Sequence, residues 1–128
     1  MSDDDRLKEK LEDIYDRVYE ECAETDVDLE KSKSKIQKLI YRIERGKKLI
    51  KECSYELQYC HHKNVVINTP LLGERYHPLK HLYDKNIRQV KANEAKLKLY
   101  KERKDLLTEK FNLLRNRIHL LIFLMNSI

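Results

Sequence analysis

The sequence predicts an all-α fold: a long helical hairpin, closed as an antiparallel coiled coil and able to join a multi-helix bundle with partner chains. Three observations predict it. Charged residues make up 38% of the chain, Gly and Pro number two each and Trp is absent, which is the composition of long helices rather than of a compact globule. Apolar residues recur at heptad spacing through both halves. A single segment with turn chemistry separates those halves. The apolar fraction of 41% is too high for a fully disordered chain, and helices with one apolar stripe accommodate both facts.

The spacing divides the chain into an acidic helical segment (1–25), a first coiled-coil helix (26–62), a connecting loop (63–78) and a second coiled-coil helix with an apolar end (79–128). The first segment carries its own stripe, Leu7, Leu11, Ile14 and Val18. From Cys22 the alternation of threes and fours visits Thr25, Leu29, Ser32, Ile36, Leu39, Ile43, Gly46, Ile50, Cys53, Leu57 and Cys60. The step from Val18 to Cys22 is four residues where three is due, a stutter that locally unwinds a coiled coil. Ser2-Asp3-Asp4-Asp5 and Thr25-Asp26-Val27-Asp28 both resemble helix-starting caps. The reading favoured is a continuous helix, unwound near residue 25, over a break there.

In the connecting segment, Asn68, Pro70, Gly73 and Pro78 are punctuation, and Val65-Val66-Ile67 is apolar enough to pack back onto the helices. Pro78 suits a first helical position, where its missing N–H costs nothing. Beyond it the second stripe runs Leu79, Tyr83, Asn86, Val90, Asn93, Leu97, Tyr100, Lys104, Leu107, Phe111, Leu114, Ile118, Leu121, Met125 and Ile128. A helix of that length measures roughly 75 Å. Folding it back on the first places Ile128 near residue 13, so the apolar tail meets Leu11, Ile14 and Val18.

The hairpin is not expected to close completely. Ile118 and Leu120 to Met125 point all round the helix, and such a helix needs more than one neighbour. The partner-binding residues expected are therefore Leu107, Phe111, Leu114, Ile118, Leu121, Ile122, Phe123, Leu124 and Met125. Asn86, Asn93 and Lys104 interrupt the seam where apolar groups bind more tightly, an arrangement that selects register and partner. Gly46 leaves a hole that a large side chain such as Tyr100 is expected to fill. The eight tyrosines are expected beside the stripes, half-buried.

Charge is distributed unevenly. Residues 1–30 hold 13 of the 22 acidic groups and 4 of the 27 basic ones, so the remainder is strongly basic. That describes either an acidic arm over a basic body or a basic surface awaiting an anion. Lysines and arginines at 31–51 and 91–117 could meet phosphates, but interleaved glutamates are what a solvated helical surface carries. Nucleic acid or an acidic protein tail is therefore the lesser alternative.

Catalysis and cofactors are not expected. Cys60, His61, His62, His77 and His81 gather near the turn, yet no CxxC or tight CxH spacing supports a metal site. No phosphate-cradling loop or carboxylate pair is visible. The opening Met1-Ser2-Asp3-Asp4-Asp5 is unlike a secretory leader and the cysteines are three, so reduced thiols in cytoplasm or nucleus are expected. The longest apolar run, Leu120 to Met125, is far short of the ~20 residues that span a bilayer. The expected role is a non-enzymatic scaffold subunit whose partners are other coiled-coil chains, in homo- or hetero-oligomers.

Overall fold

The structure is a computed structural model. It describes residues 2–67 and 70–128, and for residues 60–67 and 70–76 the backbone alone. The described residues form two α-helices, α1 (Asp3–Ile67) and α2 (Pro70–Asn126), which pack against each other as a helical hairpin, with no strand among them.

α1 starts where its chemistry says it should. The Ser2 Oγ accepts a hydrogen bond from the Asp5 N–H at 3.2 Å, while the Ser2 N–H reaches back to the Asp5 carboxylate at 3.4 Å. This reciprocal pair satisfies orphan donors of the first turn, and Asp3, Asp4 and Asp5 place negative charge at the positive end of the helix dipole. The second cap-like sequence starts nothing. Thr25 is mid-helix and 3% exposed, its hydroxyl donating to the Glu21 carbonyl at 2.8 Å. That bond satisfies the buried hydroxyl inside the helix, so α1 is continuous through residue 25, as the stutter reading favoured.

The loop expected at 63–78 is mostly helix. α1 extends to Ile67, and α2 begins at Pro70, which takes the first-position role expected of Pro78; Pro78 lies inside the helix. The reason is the modest cost of each supposed breaker. Gly73 costs about 1 kcal/mol in a helix interior and Pro78 about 3 kcal/mol with one lost hydrogen bond, and neither by itself ends a helix of 57 residues. The packing expected of Val65, Val66 and Ile67 lies outside the described side chains. At its other end α2 closes on Ser127, whose N–H and hydroxyl both donate to the Phe123 carbonyl, at 3.1 and 2.8 Å.

The hairpin divides into two compact units, Met1–Lys35 with Tyr100–Ile128, and Ile36–Leu99. In the first, Val18, Cys22, Leu114 and Leu121 form a buried cluster, flanked by Leu11, Ile14, Tyr15, Phe111, Ile118 and Met125. The apolar tail thus meets the residues predicted for it. Each such side chain contributes roughly 1.5–3 kcal/mol on full burial. Lys110 reaches Glu21 across the helices at 3.5 Å, an instance of acidic arm against basic helix, and an exposed pair of this kind contributes at most about 1 kcal/mol. The stripe frays at both extremes, where Leu7 and Ile128 stay half-exposed.

In the second unit, Ile36, Leu39, Ile43 and Cys53 of α1 are buried with Asn86 and Val90 of α2. Lys47 pairs with Glu94 at 3.3 Å. A Cβ built on Gly46 would lie 2.6 Å from the Val90 Cγ2. The hole is therefore filled by Val90, and the expectation of Tyr100 is wrong. Tyr100 belongs to the first unit, where the Lys35 ammonium lies 5.8 Å from its ring centroid.

Candidate partner-binding surface

A helix that buries one row of side chains at positions three and four apart must present its other rows to solvent. On α2 of the first unit, the buried side is built from Leu107, Phe111, Leu114, Ile118, Leu121 and Met125, all buried or half-buried. These six were expected both on the hairpin's own stripe and at the partner contact; Phe111, Leu114, Ile118, Leu121 and Met125 pack into the cluster with Val18 and Cys22. The other three expected partner residues behave differently: Ile122 and Leu124 are each 39% exposed and Phe123 is 67% exposed.

Sequence reasoning missed a second row. Leu106, Leu113 and Leu120 recur at intervals of seven, and their exposures are 67%, 65% and 57%. Leu99, of the other unit, continues the spacing and is equally open. Each stands one residue before a seam position, so a scan that follows the best single heptad passes over it. The signal was present as the pairs Leu106-Leu107, Leu113-Leu114 and Leu120-Leu121, where one residue of each pair faces inward and the other faces out. Phe123 and Leu124 add to Leu120 at the last turns. Scattered exposed leucines need no explanation, and it is the regular spacing of these that makes the row a candidate surface.

The seam residues singled out for specificity separate into two groups. Asn86 is 7% exposed, and its Nδ2 has no hydrogen-bond partner. Asn93 and Lys104 are half-buried. Asn86 and Asn93 line a groove of about 370 Å³ beside Gly46, shared with Gln89 and with Arg42, Arg45 and Leu49 of α1. No carboxylate lines it. A second depression, bounded by Tyr41, Glu44, Arg45, Lys48, Leu49 and Glu52, lies along α1 alone and has no opposing wall to hold a ligand.

Residues 36–99 hold 14 basic and 6 acidic groups, so the unit containing the groove carries the chain's positive charge. The tyrosines are more exposed than expected. Tyr15, Tyr83 and Tyr100 flank the seams half-buried, whereas Tyr19, Tyr41, Tyr55 and Tyr59 stand more than half exposed; Tyr76 lies outside the described side chains.

Among the described residues no group of His, Cys, Asp and Glu is disposed to hold a metal ion. His77 and His81 are exposed on α2, while Cys60, His61 and His62 lie outside the described side chains. Cys22 and Cys53 are buried free thiols within the seams. No described helix is long and apolar enough to cross a membrane. No family model, no curated protein and no solved structure matches this chain.

Proposed function

We propose that the protein is a non-enzymatic coiled-coil subunit that assembles with other helical chains into a larger intracellular complex. One observation carries this reading: the first unit already has its own buried cluster of Val18, Cys22, Leu114 and Leu121, yet Leu106, Leu113, Leu120 and Phe123 remain mostly exposed on the outer side of α2. Leaving such groups in water forgoes roughly 1.5–3 kcal/mol each, and a helical partner recovers it by the same seven-residue spacing. The test is affinity purification of the full chain and of Leu113→Glu/Phe123→Glu. Both sites are exposed, so the hairpin keeps its helicity, and the variant is expected to lose its co-purifying proteins. An unchanged set of partners would sink the proposal.

A second reading has its own support in the Arg42–Arg45 groove. Two guanidinium groups, the Asn86 and Asn93 amides and Gln89, without a lining carboxylate, are a donor-rich setting for an oxyanion. On this reading the basic unit takes an acidic protein tail or another polyanion. Affinity that falls steeply with added salt and is abolished by Arg42→Glu/Arg45→Glu favours it. Indifference to both removes it.

A further inference from the structure

We propose that the leucine row on the outer face of α2 is the contact between two copies of this chain, with their α2 helices running parallel. The inference rests on the assembly reading above and specifies its occupant. Leu106, Leu113 and Leu120 repeat at seven residues and supply one of the two apolar positions per heptad by which helices wind around each other in register. Phe123 and Leu124, three and four residues beyond Leu120, supply the second at the last turns.

The charges beside the row decide the orientation. Residues four further along the helix from Leu99, Leu106 and Leu113 are Arg103, Lys110 and Arg117, so one edge is basic. Residues three along from Leu99, Leu106 and Leu113 are Glu102, Glu109 and Asn116, so with Asp105 the opposite edge is acidic as far as Glu109. The six charged groups are all exposed. A two-fold axis parallel to the helices places each basic edge against its partner's acidic edge. A two-fold axis across them sets basic on basic and acidic on acidic. Rim charges of this kind contribute little affinity individually but select register and direction. Lys110 also reaches Glu21 of its own chain at 3.5 Å and is half-exposed there, which leaves Arg103, at the level of Glu102, as the stronger determinant. Near the end of the helix Phe123 and Leu124 broaden the apolar contact.

Sedimentation equilibrium of the full chain tests the proposal. The wild type is expected to dimerise, and Leu106→Glu/Leu113→Glu is expected to raise the dissociation constant at least about tenfold, with unchanged helical circular dichroism. Arg103→Glu is expected to weaken the dimer, and adding Glu102→Arg in the same chain is expected to restore it. Leu120→Cys reports direction: under mild oxidation it links two copies in a parallel pair, whereas an antiparallel pair centred on Leu113 sets residue 120 against residue 106. A chain that stays monomeric at every concentration overturns the second copy as occupant. The assembly reading then stands or falls separately, on co-purification. A dimer untouched by the leucine substitutions, or one in which Leu120→Cys fails to cross-link, overturns the face or the orientation.

Discussion

Gly46 and Val90 occupy the same space from opposite helices: a Cβ added to the glycine would come within 2.6 Å of the valine Cγ2. Two effects oppose each other when Gly46 becomes Ala. Helix propensity improves by about 1 kcal/mol. The overlap costs about 1–3 kcal/mol, because a valine in a helix has essentially one rotamer and cannot swing aside. Gly46→Ala is therefore expected to lower stability in urea unfolding despite its better propensity, and Val90→Ala in the same chain is expected to relieve part of the loss. A Gly46→Ala chain more stable than wild type would mean that Val90 does not fill the hole.

Leu113 and Leu114 offer a contrast between neighbours of identical chemistry, 65% and 5% exposed. Leu114→Ala empties a place in the buried cluster and is expected to cost about 2–5 kcal/mol. Leu113→Ala, assayed at concentrations too low for association, is expected to change stability by less than about 0.5 kcal/mol. Equal losses from both would show that the outer row is covered within the chain itself.

Asn86 is expected to behave as a specificity element with a stability cost. Its Nδ2 is buried without a hydrogen-bond partner, a situation that costs about 1–3 kcal/mol. Asn86→Leu should raise the unfolding midpoint, with the groove beside Gly46 giving room for the larger side chain. A fall in midpoint would show that the amide finds an acceptor in solution.

Ser2→Ala removes the reciprocal cap with Asp5. The cap is exposed, so the loss belongs at the low end of the roughly 0.5–2 kcal/mol range for such substitutions. It should be seen as faster amide exchange confined to the first turns of α1, with the global unfolding midpoint unchanged. Unaltered exchange there would mean that the acidic first turn alone holds the helix start.

Much of this fold is readable from periodicity, because burial along two packed helices follows one repeat. Leu114 and Leu121, or Ile36 and Leu39, could be placed inside without coordinates, since each belongs to a row that recurs every seven residues. The helix ends were harder. Pro78 reads as a boundary in sequence, but a proline in a helix costs a fixed local amount, and the packing of a long helix outweighs it. The exposed apolar row was half legible. Phe123 and Leu124 were identified by a run that is apolar on every side. Leu106 and Leu113 were hidden because each abuts a seam residue of the same type, and sequence alone cannot say which of two adjacent leucines is covered. The match between Gly46 and Val90 depends on the stagger of the two helices, a quantity that composition and spacing do not carry.

Two leucine rows one residue apart make α2 rotationally ambiguous. Turning the helix by about 100° exchanges the inner leucines for the outer ones with no change in residue type. The same turn would carry Lys110 and Arg117 into the places now held by Phe111 and Ile118, stranding two cations against an apolar interior. Those two side chains therefore act as a pawl, opposing the wrong rotation of the helix by the cost of desolvating them.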